Sequence, residues 1–388
     1  MTIAAIVCWI CGLTAVYVLI GYPALLALLA RLRPRPWRKE FHPLTVTVLL
    51  PVRNGERWLP AKLETLRALD YPPGKVQILV LSDGSTDGTA AIARAHAANG
   101  VELVELPPAG KAAALTAGLE RATGEVLFLT DVRQPLSRNS LRDLVACLGD
   151  PSVGVASGEL ILRDGESGET RNVGMYWKYE KFIRRRQALA GSVPGATGAI
   201  YVMRRELARP LPPDLLLDDV YLPMGALRRG YRIVFEESAI AYDDTATLGA
   251  EFGRKVRTQG GVWQLLRLEP WLLGSGNPIW LHFISHKVGR LALPFALAGV
   301  LVASPWITAP WNYALAAAQG LFYGLAAADR WIADSNPLKR LSGPASTFTV
   351  LLLAAAVGLR VFWTPAKDLW RPAGPVKPVR SGNGMGGD

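Results

Sequence analysis

A regular alternation of strand-like and helical segments between residues 44 and 245 is the feature that most constrains the fold. The segments LTVTVLLPV, VQILVLSD, GVELVEL and EVLFLTD are short, rich in β-favouring residues and separated by helical runs. Such alternation is typical of a mostly parallel sheet with helices on both faces. VGVASGELIL and GATGAIYVMRR add two strands to a more mixed second half. We therefore predict an α/β, Rossmann-like domain.

The amino-terminal block is apolar enough to be a transmembrane helix. Residues 3–30 contain no charged side chain and exceed the roughly 20 residues that a helix needs to span a bilayer. A cleaved signal peptide is the alternative, but a basic n-region is missing and the apolar run is too long. A basic cluster follows at once and favours the cytoplasmic side, so we expect the amino terminus outside and the next domain inside. The cluster consists of Arg31, Arg33, Arg35, Arg38 and Lys39.

Three further apolar blocks, at 288–305, 308–328 and 346–363, predict four spans in total. Four spans put the basic carboxyl-terminal tail outside, against the tendency of positive charge to stay inside. A re-entrant or interfacial block among the three, or a count that is off by one, is the alternative that removes this conflict. The predicted division is a first transmembrane helix (1–30), a basic linker (31–43), a cytoplasmic catalytic domain (44–255), interfacial helices (256–290), carboxyl-terminal transmembrane helices (291–363) and a polar tail (364–388).

The charge and cysteine content exclude several classes of protein. The net charge is +11, but much of it is juxtamembrane and no nucleic-acid-binding motif is present, so orientation and contact with anionic lipid explain it. Cys8 and Cys11 lie within the first apolar block, and nothing requires a disulfide. AGKAAA lacks the spacing of a phosphate-binding P-loop, and GATGAI lacks the context of a dinucleotide-binding fingerprint.

Three predicted strands end in polar residues, in LLPVRNGE, VLSDGSTD and FLTDVRQP. Because the carboxyl ends of parallel strands share one edge, we expect Arg53, Glu56, Asp83 and Asp131 to converge on one crevice. Convergent carboxylates suit a ligand that carries Mg²⁺ or Mn²⁺ with its phosphates. Lys111, just before a helix, can add positive charge for the same diphosphate. Taken singly, each of these residues has an alternative interpretation as a helix cap or a solvated loop group.

This pattern resembles the family 2 glycosyltransferases, inverting enzymes of the GT-A fold, and in particular membrane-embedded members such as cellulose, hyaluronan and poly-N-acetylglucosamine synthases. The resemblance covers roughly residues 45–290. PVRNGE looks like the first nucleotide-contacting strand end, which implies nucleotide contacts from Pro51, Arg53 and Glu56. SDGSTDGT is similar to the D-G-S-x-D turn of the family, which implies that Asp83 contacts the nucleotide.

Two further segments match the family with one departure each. GKAAALTAGL is similar to the G-K-x-x-A-L-N-x-G segment that carries Lys111, with Thr116 where Asn is usual. LTDVRQPL falls where the family has its metal-binding D-x-D, which implies that Asp131 binds the nucleotide and the metal. Arg133 occupies the second acidic position. Either Asp131 alone holds the ion with the diphosphate, or Arg133 replaces part of the charge of the metal.

The segment LLLDDVYLPMGALRRGYRIVFE resembles the region that carries the catalytic base of the family. The resemblance implies that Asp219 is the base and Asp218 its acidic predecessor. An inverting transfer needs a carboxylate to take the proton of the acceptor hydroxyl. The alternative is a helix amino terminus at which acidic side chains are favoured by the dipole.

RKVRTQGGVWQLL resembles the Q-x-x-R-W motif that processive synthases place over the acceptor and the diphosphate. Gln259 and Trp263 match, and Val262 stands where the Arg is usual. Arg254 and Arg257, about one turn earlier, are candidates for the missing charge.

Residues 171–191 mix aromatic and basic side chains, which suits a helix in the membrane interface. A solvent-facing helix against the catalytic core is the alternative.

The resulting prediction is an inverting glycosyltransferase of the inner cell membrane, multi-pass, with its catalytic domain in the cytoplasm. It would transfer a sugar from a nucleotide diphosphate donor, a UDP-sugar, to a growing polysaccharide with Mg²⁺ or Mn²⁺ as cofactor, and it would contact membrane lipid but no nucleic acid. The first alternative is the addition of one sugar to a lipid acceptor such as a ceramide, a diacylglycerol or a polyprenyl phosphate. The second is a membrane-anchored binding protein that keeps the GT-A fold without catalysis.

Overall fold

The structure is a computed structural model that describes residues 2–163, 175–244, 248–333 and 335–365. Its central element is a seven-stranded sheet, as the alternation of segments predicts. The strands are β1 (Val46–Val52), β2 (Val76–Asp83), β3 (Val101–Leu106), β4 (Val126–Thr130), β5 (Val153–Arg163), β6 (Ile200–Arg204) and β7 (Arg232–Asp244).

The sheet is mostly parallel and has the order β3-β2-β1-β4-β6-β5-β7. The first four strands pair in parallel, β6 runs antiparallel to β4 and β5, and β7 is parallel to β5. The strand order reverses at β1, which lies between β2 and β4. In open α/β sheets the crevice at such a reversal, outside the carboxyl ends of the strands, is where ligands bind.

Helices cover both faces of this sheet, because its central strands are apolar on both sides. Val48 and Leu50 of β1 belong to one buried cluster, whereas Leu49 between them belongs to the other. Continuous burial of this kind is typical of parallel strands with helices on both faces. The helices of this part are α3 (Leu59–Arg67), α4 (Thr89–Ala95), α5 (Lys111–Arg121), α6 (Ser140–Cys147), α7 (Met175–Ala190), α8 (Asp218–Arg228) and α9 (Leu248–Leu268).

The described residues contain three helices long and apolar enough to cross a membrane, not four. The first, Ile3–Leu32, joins α1 (Ile3–Val16) and α2 (Tyr22–Leu32) through a π turn. The second, Trp280–Trp306, contains α10 (Trp280–His282) and α11 (Gly289–Ala303), and the third, Lys339–Phe362, contains α13 (Lys339–Gly358). The block at 308–328, which the sequence analysis predicts as a fourth span, is not among these three helices.

The block at 308–328 forms α12 (Trp311–Ala328). Near its start, Leu315 packs against Val300 and Ala303, at the end of α11. Just after its end, Asp329 accepts a hydrogen bond from Ser342 Oγ at 2.6 Å, in the first turn of α13. Polar residues such as Asn312 and Gln319 lower its hydropathy, and its contacts connect α11 to α13.

The opposite end of the apolar helices lies against the catalytic domain. α11 begins beside α7, where Arg290 forms an ion pair with Glu180. α13 ends beside α9, where Gly358 approaches the backbone of Gly260. α7 in turn packs along α2 through Ile183, so the aromatic and basic helix predicted within residues 171–191 follows the first candidate span. Residues 171–174 of that prediction lie outside the described residues.

Candidate active site

Polar side chains meet at the carboxyl edge of the sheet, at the reversal point between β1 and β4. The ends of these two strands and the start of α5 and α8 line one narrow cleft. Its lining comprises Leu49, Pro51, Lys111, Leu115, Leu129, Thr130, Asp131, Gly198 and Asp218. Of the four strand-end residues expected to converge, Asp131 lines the cleft, and so does Pro51, a nucleotide contact implied by the resemblance.

Asp83, at the end of β2, is buried and holds the loop that leads into α5. Its Oδ1 accepts hydrogen bonds from the backbone N–H groups of Ala109 at 2.7 Å and Gly110 at 2.9 Å. Its Oδ2 lies 3.8 Å from Nη1 of Arg53, so these two predicted nucleotide-binding residues are neighbours. The chain turns sharply after Asp83 because Gly84 has a φ of +59°, and a Cβ there would come within 2.7 Å of Pro108.

Lys111, the first residue of α5, connects the carboxylates of the cleft. Its Nζ lies 3.0 Å from Oδ1 of Asp131 and 3.2 Å from Oδ2 of Asp218. Burial opposes the charged form of Lys111, but the nearby carboxylates outweigh it and hold its pKa above the usual lysine value. Burial likewise opposes the ionised form of Asp131, but Lys111 outweighs it and lowers the pKa of this carboxyl. Both groups are therefore charged at neutral pH.

Asp218 and Asp219 open α8, where the helix dipole favours acidic side chains. The backbone C=O of Asp219 accepts a hydrogen bond from the N–H of Ala196 at 2.7 Å. Its carboxylate lies against Gly198, at which a Cβ would be 3.1 Å from Oδ2. Burial first and the charge of Asp218 second raise the pKa of Asp219 to about 6, against the opposing charge of Lys111. A carboxyl with this pKa can accept a proton near neutral pH, as a general base must.

Comparison with known proteins decides the family of this domain. A match to the description "Glycosyl transferase family 2" covers residues 47–211, which include β1 to β6 and the cleft residues up to Gly198. Residues 47–211 belong to glycosyl transferase family 2. The domain is a glycosyltransferase domain, as the resemblance of its motifs implies.

Two curated relatives extend the similarity over more of the chain. An N-acetylglucosaminyltransferase of Rhizobium sp. (strain N33) is 26% identical over 292 residues, which are 69% of this chain and 64% of the relative. Glycosyltransferase AglE of Haloferax volcanii is 25% identical over 264 residues, 63% of this chain and 85% of the relative. The chain thus spans less than two thirds of the length of the Rhizobium relative.

A solved structure extends the similarity to the apolar helices. The mannosyltransferase PcManGT from Pyrobaculum calidifontis, solved in complex with GDP-Man and Mn²⁺, superposes with a TM-score of 0.69 at 22% identity. The match covers 92% of this chain and 99% of that one. The likeness of fold to this structure therefore extends beyond residues 47–211.

Asp131 is the one carboxylate of the D-x-D segment, because Arg133 stands at the second acidic position. Among the described residues no cluster of three or more His, Cys, Asp or Glu side chains could hold a metal ion. Lys111 occupies the position between Asp131 and Asp218. Mg²⁺ is often bound by one or two carboxylates with substrate phosphates and water. The residues present therefore fit an ion that Asp131 shares with the diphosphate of a donor, and they do not form a cage made of protein alone.

Glu56, like Arg53 and Asp83, is not among the residues that line this cleft. Its Oε2 accepts a hydrogen bond from the N–H of Gly88 at 2.8 Å, and its own N–H donates to Asp87 Oδ2 at 3.1 Å. Glu56 therefore ties the loop after β1 to the turn before α4.

The four α9 residues predicted to contact the acceptor or the diphosphate differ in what lies next to them. Arg257 is close enough to lower the pKa of both Asp131 and Asp219. Arg254 pairs with Asp243 at 3.4 Å. Gln259 and Trp263 face α13 instead: Trp263 Nε1 donates to the C=O of Ala355 at 3.3 Å, and the backbone of Gln259 adjoins Gly358. Among these four, Arg257 acts through its charge on the cleft carboxylates, and Trp263 packs against α13.

Lys62 is a site residue that the sequence analysis missed. It is buried under the cleft, where its Nζ donates to Thr130 Oγ1 at 2.7 Å and to the C=O of Gln134 at 2.6 Å. Burial lowers its pKa to about 7, against the opposing charge of Asp131. The sequence feature that could have identified Lys62 was its place in the apolar stripe of α3, with Leu59, Leu63 and Leu66. A lysine in such a stripe is buried and must find acceptors.

Proposed function

We propose that this protein is an inverting, nucleotide-sugar-dependent glycosyltransferase whose active site lies at the cytoplasmic surface of the membrane. The observation that carries the proposal is the arrangement of Asp131, Lys111 and Asp219 at the sheet reversal, with Asp131 and Lys111 inside the family 2 match and Asp219 just beyond its end. Asp131 and Lys111 suit the phosphate end of a donor, and Asp219 suits the acceptor hydroxyl. Asp83, Arg53 and Pro51 remain proposed nucleotide contacts.

The reaction follows from these positions. Asp219 removes the proton of the acceptor hydroxyl while the oxygen attacks the anomeric carbon of the donor sugar. The bond from that carbon to the diphosphate oxygen breaks on the opposite face, so the configuration inverts. The negative charge that develops on the leaving diphosphate is stabilised by the cations Lys111 and Arg257. A bound Mg²⁺ or Mn²⁺ would supply further positive charge at these phosphates.

We propose that the carboxyl-terminal tail is cytoplasmic, on the side of the catalytic domain. With the amino terminus outside, Ile3–Leu32 enters the cytoplasm, Trp280–Trp306 leaves it and Lys339–Phe362 returns. The packing of the end of α13 against α9 supports this path. It also brings the basic tail to the inner side, which removes the conflict that four spans create.

The acceptor that the geometry favours is a lipid, the first alternative of the sequence analysis, and not a growing polysaccharide. Three candidate spans in the described residues are few for a channel that conducts a polymer. Trp263, the residue expected to border such a chain, packs against α13. A lipid acceptor needs no channel, because its head group reaches the cleft from the membrane surface.

The test is transfer by the purified full-length protein in lipid nanodiscs, with a panel of radiolabelled UDP- and GDP-sugars and a total membrane lipid extract as acceptor. Reactions run with Mg²⁺, with Mn²⁺ and with EDTA. Label in one organic-soluble product is the expected result, and a ladder of high-mass products would favour a polysaccharide. Absence of both donor hydrolysis and transfer with every donor would contradict the proposed activity.

A further inference from the structure

The outer face of α7 is a cationic surface around one exposed aromatic ring. Four basic side chains and Phe182 line a cavity of about 240 Å³ on this face. The basic residues are Lys178, Lys181, Arg185 and Arg186. Lys178, Phe182 and Arg186 follow one another at spacings of four, so they form a single stripe along the helix. We call this stripe, with Lys181 and Arg185 beside it, the α7 basic face.

Two carboxylates neutralise part of the charge of the α7 basic face. Lys181 Nζ lies 2.8 Å from Glu159 Oε2 and 3.3 Å from Glu237 Oε2. Arg185 Nε lies 3.2 Å from Oε1 of the same Glu237. Four basic groups therefore meet two acidic ones among the residues that the structure describes, which leaves an excess of two positive charges.

The excess belongs to Lys178 and Arg186, at the two ends of the stripe. Neither side chain has an ion pair within 4 Å or a hydrogen-bond partner in the described part of the chain. The Arg186 guanidinium lies over the ring of Phe182, with Cζ 5.4 Å from the ring centroid, and its Nε is buried without an acceptor. Glu180 of the same helix is already paired with Arg290. Lys178 and Arg186 therefore keep donors available for an anion.

The packing of α7 along the first candidate span indicates that this face lies at the depth of lipid head groups. The span Ile3–Leu32 has 30 residues and is about 45 Å long, whereas the hydrocarbon of a bilayer is about 30 Å thick. About ten residues therefore extend beyond the hydrocarbon, which is about the length of α2. α7 covers α2, where Tyr22 and Leu26 are buried against Ile183, whereas Ile10 of α1 is 61% exposed.

A second group of exposed cations lies where α7 ends. The N–H of Arg35 donates to the C=O of Leu189, the last residue but one of α7, at 2.7 Å. Arg31 and Arg33, just before, are exposed as well. Positive charge from two neighbouring elements at this depth is complementary to the acidic lipids of the cytoplasmic leaflet. Phe182 supplies the apolar side chain that an interfacial helix inserts among the acyl chains.

We propose that the α7 basic face is a binding site for acidic phospholipid of the cytoplasmic leaflet. Lys178 and Arg186 donate charge-assisted hydrogen bonds to head-group phosphates on either side of Phe182, whose ring lies among the acyl chains. This inference goes beyond the proposed transfer reaction and rests on the proposed cytoplasmic position of the catalytic domain.

The consequence of this binding is a fixed orientation of the cleft towards the bilayer. On another side of α7, Arg184 donates to Thr197 Oγ1 at 2.7 Å, next to Gly198 of the cleft lining. α7 therefore connects the lipid surface to the wall of the cleft beside Asp219. No residue of the α7 basic face lines the cleft itself.

The experiment measures lipid binding by the full-length protein in detergent, without nucleotide sugar or acceptor, by mass spectrometry of the intact complex. The probes are phosphatidylglycerol and phosphatidylcholine with the same acyl chains. We expect the wild-type protein to bind phosphatidylglycerol about twentyfold more tightly. Lys178→Gln and Arg186→Gln should each reduce this preference about fivefold, and Lys178→Arg should retain it because the charge is kept. Lys75→Gln is the matched control, because it removes an exposed cation before β2 and should keep the full preference.

Equal affinity of the wild-type protein for the two lipids would overturn the inference, as would a preference that survives undiminished in both Gln variants. Competition with inorganic phosphate separates a lipid from a soluble anion. If inorganic phosphate displaces phosphatidylglycerol and binds as tightly as the lipid does, the surface takes a soluble anion and the inference is wrong. Failure of the proposed function is distinct, since it appears as absence of turnover with every nucleotide sugar, whereas lipid binding is measured without one.

Discussion

The ammonium nitrogen of Lys111 lies 3.0 Å from Oδ1 of Asp131, so an ion pair joins the first residue of α5 to the end of β4. The same nitrogen reaches Asp218, at the start of α8. One side chain thus neutralises carboxylates from two elements that would otherwise repel each other at the cleft.

Replacing Lys111 with Gln should weaken donor binding about tenfold or more, because the diphosphate loses a charge-assisted hydrogen bond. It should also move the pH dependence of the rate to higher pH, since Lys111 lowers the pKa of Asp219. Titration calorimetry with the donor and initial rates across pH check both effects. Lys75→Gln, at an exposed lysine, is the control. Unchanged donor affinity in Lys111→Gln would show that Lys111 does not bind the donor diphosphate.

Replacing Asp219 with Asn should lower kcat about a hundredfold or more, because the acceptor hydroxyl loses its base. In the wild-type enzyme the rate should rise with pH around 6, as the carboxyl ionises. Asp214→Asn is a matched control, because Asp214 is exposed and its positive φ suits Asn. A wild-type kcat in Asp219→Asn would show that Asp219 is not the general base.

The raised pKa of Asp219 also predicts that the ionised carboxylate needed for activity lowers the stability of the folded protein. Above about pH 6 the folded protein bears a buried carboxylate at a cost, and below the unfolded-state pKa of about 4 both states are protonated and the cost is absent. Asp219→Asn should therefore have the higher thermal midpoint near neutral pH, and the difference should fade as the pH falls. An Asn variant that is less stable than the wild type at neutral pH would contradict this.

Lys62 should make stability increase with pH above about 7. Its pKa in the folded protein is about 7, below the unfolded value of about 10, so the unfolded chain binds more protons in this window. Replacement by Met should remove this part of the rise in thermal midpoint, whereas Lys75→Met, at an exposed lysine, should not. If the thermal midpoints of Lys62→Met and the wild type rose in parallel between about pH 7 and 10, Lys62 would not be buried as described.

Replacing Arg133 with Asp should restore the second acidic position of the D-x-D segment and tighten metal binding. A second carboxylate adds an oxygen ligand for Mg²⁺ or Mn²⁺. The Mn²⁺ concentration that gives half-maximal donor turnover is the measurement, and Arg133→Gln separates loss of the cation from gain of a ligand. An equal metal requirement in the wild type and both variants would place Arg133 away from the ion.

The strands and most helices of the catalytic domain were predictable, because their apolar periodicity is strong and their ends carry turn residues. Parallel topology predicted Asp131 at this edge, whereas Lys111 was expected from its place before a helix and from the family resemblance of GKAAALTAGL. Glu56 was not predictable, since its partner, the N–H of Gly88, is 32 residues away and becomes its neighbour only in the folded turn.

Trp263 shows the limit of a motif match. The sequence places it at the position expected to border the acceptor, but α13 covers it, and the distance in sequence between Trp263 and Ala355 hides this contact. The number of candidate spans depended on composition, because polar residues such as Asn312 and Gln319 lower the hydropathy of the block at 308–328.

The anomeric configuration of the product tests the central claim most directly. ¹H NMR of the reaction of the purified enzyme with an α-linked nucleotide sugar reports the coupling of the anomeric proton in the first product formed. Direct attack by a hydroxyl activated by Asp219 predicts a β-linked product from the start of the reaction. An α-linked product would require a second displacement or a different mechanism and would contradict the assignment of Asp219 as the base of an inverting transfer.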